Sequence, residues 1–136
     1  MTATRAELIR QFIPNSPHAA RLGIALEDLG DGTARLVMPF SAENTTLGDV
    51  VHGGAISTLA DTAAMAAAWA TDEVPESAAG STASLTVDFL SAARGCDLVA
   101  DAQVVKRGRR LVFVRVSVAA PDGPPVAAAQ AVYALG

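Results

Sequence analysis

The sequence predicts an α+β fold in which one long helix lies against a single curved antiparallel sheet. Three observations carry this expectation. The run from Gly53 to Ala70 is alanine-rich and free of proline, later segments alternate apolar and polar residues with a period of two, and glycine, proline and aspartate punctuate the gaps. A sheet that curves around one helix lets both elements bury their apolar faces.

Taken in order, TRAELIRQFI (4–13) has apolar spacing suited to a short helix, which Asn15-Ser16-Pro17 ends. This gives a helical extension over 1–18 within a single domain spanning 1–136. LGIALEDL and TARLVMPF follow as two strands about a turn at Gly30-Asp31-Gly32, and in the second Ala34, Leu36, Met38 and Phe40 alternate with Thr33, Arg35 and Val37. A helix from Gly53 to Ala70 would be about 27 Å long at 1.5 Å per residue. It is apolar on nearly all sides, which predicts burial all round.

VPESAAG breaks that pattern. In STASLTVDFL, Ala83, Leu85, Val87 and Phe89 then face one way and Thr82, Ser84, Thr86 and Asp88 the other. DLVADAQVVKRG, RRLVFVRVSVAA and PVAAAQAVYALG continue in the same style, with turns at Arg94-Gly95, Arg107-Gly108 and Pro121-Asp122-Gly123. The expectation is four long strands in antiparallel succession.

Composition bounds the function. With 136 residues, 51% hydrophobic and 18% charged, the chain is globular, and at 4% aromatic its interior must be filled by alanine and valine. So small a core points to further burial between subunits. The formal charge of -4 argues against a nucleic-acid partner, although four of the ten basic residues crowd into Lys106–Arg110. Cys96 is the only cysteine, so no intrachain disulfide can form, and a reducing cytoplasm is the natural setting. Arg5, Glu7 and Arg10 rule out a secretion signal at the start, while His52 and Asp61 interrupt 50–70 as a membrane span. With two histidines and no cysteine cluster, no metal site is expected; no phosphate-loop, dinucleotide or G-x-S-x-G motif occurs, and no cofactor is expected.

What remains is VVHGGAISTLADTAAMAAAWA, in which Asp61 is the one carboxylate of an apolar stretch. His52 is followed by Gly53 and Gly54 at the helix entrance, where free N–H groups carry partial positive charge and no Cβ blocks a ligand's approach. An acyl carbonyl placed there would be polarised as in an oxyanion hole. Asp61 sits roughly 12 Å along the axis from Gly53. If both act on one bond, the carboxylate must come from a second subunit whose helix runs antiparallel, which predicts a dimer with two composite sites. Such a pair suits attack on an acyl group, with Asp61 as general base or nucleophile and Thr82 as a supporting hydroxyl. The structural alternatives are an interface aspartate, a histidine that only orders the turn, and a solvated basic turn.

The segment HGGAISTLADTAAMAAAWA, with HGG followed by LAD-x-A, resembles the helix motif of hotdog-fold thioesterases in the hydroxybenzoyl-CoA thioesterase superfamily, nearest to the phenylacetate-pathway (PaaI-type) branch. The likeness extends through STASLTVDFLSAARG and VVKRGRRLVFVRVSV over about residues 20–135. It implies a hotdog fold, acyl-CoA hydrolysis with coenzyme A as part of the substrate, and a homodimer or homotetramer. In the implied site, Gly53 polarises the thioester carbonyl, Asp61 of the partner is nucleophile or base, Thr82 helps place water and His52 supports the turn, with Gly54 beside them. The family's asparagine falls at Thr46, six residues before His52, with Asn44 nearby as a substitute. Coenzyme A phosphates need cations, and Arg94, Arg107, Arg109 and Arg110 are the candidates. A non-catalytic acyl-CoA binding protein is the alternative that the resemblance leaves open.

Overall fold

The computed structural model describes residues 2–136. Helix α1 (Arg5–Asn15) begins in a capping box, in which the Thr4 hydroxyl accepts from the Glu7 amide and the Glu7 carboxylate accepts from Thr4 in return. Its apolar face buries Ile9 and Ile13. Pro17 then opens a short second helix, α2 (Pro17–Arg21), so the helical extension runs to Arg21 instead of stopping at residue 18.

Strands β1 (Ala25–Gly30) and β2 (Thr33–Met38) form the expected hairpin, with Gly32 at φ +68°. A 3-10 turn at Ala42–Asn44 leads into a small hairpin, β3 (Thr45–Leu47) and β4 (Val50–Val51), which is too short to register as a periodic pattern. It delivers the chain to α3 (Gly53–Ala68), the long helix. Four strands follow: β5 (Gly80–Phe89), β6 (Leu98–Arg107), β7 (Leu111–Ala119) and β8 (Pro125–Leu135).

The six long strands make one antiparallel sheet in the order β1-β2-β6-β7-β8-β5. This corrects the expected succession. β5 does not neighbour β6; it pairs with β8 and forms the far edge, and the chain crosses back through residues 90–97. Arg94 therefore lies in a crossover bridged to Val50, not in a hairpin turn.

The concave side of the sheet wraps α3. Leu36, Leu98, Val112, Val114, Val116 and Val118 are buried against Leu59, Ala60, Ala63 and Ala67, and the alanines let the strands come close to the helix axis. Burial of α3 is not complete, however: Ser57, Thr58, Asp61 and Met65 are only part-buried and Gly54 is exposed. At spacings of three and four these residues form a single stripe, the side of the helix that the sheet leaves uncovered. The convex side of the sheet carries Leu111 and Phe113, both exposed.

Among the sheet's register shifts, two change the facing of predicted site residues. On β5 the register shifts between Thr82, opposite Tyr133, and Ser84, opposite Val132, leaving Ala83 as the extra residue. Thr82 thereby joins Leu85 and Val87 on the helix side, which overturns its expected place on the opposite face. On β6 the register shifts between Val104 and Lys106, and Arg107 ends up opposite the buried Val112.

Candidate active site at the start of the long helix

His52 is the N-cap of α3, with extended backbone (φ −63°, ψ 134°). Its Nδ1 accepts the Gly54 amide at 2.8 Å, which places the proton of the neutral ring on Nε2. The His52 carbonyl accepts the amides of Ala55 and Ile56. Of the first-turn donors, only the Gly53 N–H finds no acceptor among the described residues. A donor of this kind, at the positive end of a 16-residue helix, is suited to an oxygen that gains negative charge.

The ring of Phe89 lies beside Gly53. A Cβ placed on Gly53 would be 3.3 Å from Phe89 Cε1 and 3.4 Å from Cζ, so glycine lets the aromatic ring rest on the bare backbone. Periodicity marked Phe89 only as an inward-facing strand residue. Its position at the end of β5, level with the helix entrance, comes from the β5–β8 register.

Further along the uncovered stripe, the Thr82 hydroxyl donates to Asp61 Oδ1 at 2.7 Å. The Ala83 bulge makes this bond possible. Opposite Thr82, the buried Tyr133 accepts from the Trp69 indole at 3.2 Å, and burial pushes its phenol above the usual range against the opposing effect of that bond. Neither Tyr133 nor Trp69 carried a sequence signal beyond being large and apolar.

The remaining predicted residues separate. Asn44 accepts the His52 amide through its backbone carbonyl at 2.7 Å and lines a cleft of ≈ 350 Å³ with His18, His52, Gly54 and Thr58. Thr46 is exposed on the hairpin and does not line this cleft. Arg94 sits by the helix entrance, 3.9 Å from Asp49 in an exposed ion pair. Arg109 and Arg110 are exposed at the opposite end of the helix.

Arg107 departs from the phosphate role. Its guanidinium donates to the Ala68 carbonyl at 2.9 Å and so closes the C-terminus of α3, and partial burial lowers its pKa. Arg107→Ala is expected to cost roughly 1 kcal/mol, a fall in Tm of about 3–5 °C, because it frees a helix-end carbonyl. Arg109→Ala should leave the melting curve unchanged in the same thermal scan; equal curves for the two variants would remove the capping role.

Among the described residues no helix is long and apolar enough to cross a membrane, and no cluster of three or more metal-ligating side chains occurs.

A family model described as the thioesterase superfamily matches residues 48–127, the span from the β3–β4 hairpin into β8. Over 119 residues the chain is 37% identical to a protein of Halobacterium salinarum described as a candidate esterase, covering 85% of this chain and 78% of that one. A thioesterase family protein from Silicibacter pomeroyi has the same fold at a TM-score of 0.87 and 31% identity, with 97% and 99% of the two chains covered. PaaI from the phenylacetic acid degradation operon of E. coli superposes with a TM-score of 0.82, covering 100% of this chain and 96% of that one. At 24% identity this last likeness is one of fold.

Proposed function

Because the chain belongs to the thioesterase superfamily, we propose that it hydrolyses an acyl-CoA thioester, with an aryl-acetyl, aryl or medium-chain acyl group, to the free acid and coenzyme A. The observation that carries this reading is the unengaged Gly53 N–H on the same helix as an Asp61 that Thr82 holds on the uncovered side. The Gly53 amide would take the thioester oxygen and strengthen its bond as charge develops there. Asp61 would take a proton from the attacking water, or attack the carbonyl carbon itself to form an anhydride that water then hydrolyses. In both routes the C–S bond breaks and coenzyme A leaves as a thiolate that takes up the proton.

The two groups are roughly 12 Å apart along one helix, too far to meet on one carbonyl. The reading therefore requires two copies, with their uncovered stripes facing and their helices antiparallel. Each site then takes Gly53 from one subunit and Asp61 with Thr82 from the other. The exposed Leu111 and Phe113 on the convex face suit a second contact between such dimers. Antiparallel helices also bring the partner's Arg109 and Arg110 end alongside this chain's Arg94, so these three are the cations we assign to the coenzyme A phosphates.

The test uses hybrid dimers. Chains with Asp61→Asn and chains with Gly53→Pro are each mixed and allowed to exchange. A shared site restores about a quarter of wild-type turnover, since half the dimers are hybrids and each holds one intact site. No recovery, with exchange confirmed by native mass measurement, would sink the shared site.

A further inference from the structure

We propose that Phe89 is the specificity wall of this site, standing beside the Gly53 amide and offering the in-subunit apolar surface on which the acyl part of the thioester packs. The proposal rests on the thioesterase reading and names a residue that sorts its substrates.

Three independent placements support it. Leu85 and Val87, the preceding inward positions of β5, pack onto the core, whereas Phe89, opposite the buried Ala127, remains 55% exposed. Level with the helix entrance, its ring stands outside the core cluster. Next, its edge occupies the space that a Cβ on Gly53 would crowd, 3.3 Å from that position, on the residue whose amide is the one first-turn donor without an acceptor. Last, the backbone just beyond it is held in place, the Leu90 amide donating to the Val126 carbonyl at 2.8 Å.

A half-wetted aromatic ring beside a free amide fits a ligand with a polar carbonyl and an apolar body. The carbonyl meets the amide, and the body covers the ring. Covering the ring also expels water from the Gly53 N–H, where a hydrogen bond to developing charge is stronger in the absence of solvent. Discrimination should therefore follow acyl size. A larger apolar acyl group removes more of the ring and of itself from water, and a methylene fully buried in such a contact is worth about tenfold or more in kcat/KM.

The experiment compares acetyl, hexanoyl and phenylacetyl thioesters of coenzyme A with wild type, Phe89→Ala and Phe89→Leu, together with the subunit mass by light scattering at assay concentration. In wild type, kcat/KM is expected to rise by at least about tenfold from acetyl to the larger groups. Phe89→Ala should flatten that rise to within about threefold through KM, with Phe89→Leu in between and the mass unchanged. An equal loss on all three substrates, an unaltered rise, or a halved mass in Phe89→Ala would overturn the proposal, the last by making Phe89 a subunit contact. Wild-type turnover that ignores acyl size removes the proposal alone; no hydrolysis of any thioester by wild type removes the thioesterase reading and the proposal with it.

Discussion

Asp61→Asn is expected to lower kcat on the best thioester by about a hundredfold or more while leaving Tm within about 2 °C of wild type. Asparagine matches aspartate in shape, and its Oδ1 can still accept the 2.7 Å bond from the Thr82 hydroxyl. The local structure should therefore persist. What disappears is the negative charge that can take a proton from water or attack the carbonyl carbon, and a hundredfold loss corresponds to about 2.7 kcal/mol of barrier. Neighbouring hydroxyls cannot substitute. Thr58 donates to the Gly54 carbonyl at 2.9 Å and Thr62 to the Thr58 carbonyl at 2.7 Å, so both protons are already engaged inside the helix. Steady-state kinetics and a thermal scan of the same preparation decide the matter, and near-normal kcat in the asparagine variant would end the catalytic assignment.

Gly53→Pro should cost about 10²–10³ in kcat, the loss seen when one oxyanion donor is removed. Proline suits this position unusually well. Gly53 is the first helical residue, where proline's fixed φ fits and its missing N–H breaks no helix bond. The preceding His52 already has the extended backbone that a following proline demands. The substitution therefore deletes one hydrogen-bond donor and little else of the fold. Its side effect is crowding of the Phe89 ring, whose Cε1 would lie 3.3 Å from the new Cβ. Gly53→Ala brings the same Cβ but keeps the N–H, so its smaller loss measures the crowding alone. If the alanine and proline variants lose equal activity, the amide is not the group that stabilises the reaction.

Much of this could be read in the sequence, because period-two alternation and the alanine-rich run are direct consequences of one sheet wrapping one helix. His52-Gly53-Gly54 and the isolated Asp61 could likewise be placed from helix geometry. The failures came where local pattern and pairing part company. Thr82 lay on the wrong face in a strict alternation, and Ala83, as the extra residue of a bulge, reverses the facing of everything before it. β5 looked like the neighbour of β6 because adjacency in sequence is the default, but the crossover through Arg94 carries the chain to the other side of the sheet. Arg107 looked like one more cation of a basic turn; a second bulge turns it toward the Ala68 carbonyl. The stripe on α3 was hidden because glycine, serine, threonine and methionine are small or apolar enough to pass for core.

The bulge at Ala83 has a consequence for how this chain should be compared with its relatives. Removing Ala83 would make β5 regular and still leave Thr82 opposite Tyr133, since the pairings on either side already match a strand one residue shorter. A relative with an unbulged strand would therefore carry its hydroxyl two residues before the equivalent of Leu85, where this chain carries it three before. An alignment without a gap in this strand would pair Thr82 with an outward-facing residue and report the hydroxyl as lost. Placing a single gap at Ala83 restores the correspondence, and the residue to anchor it on is the partner Tyr133 across the sheet.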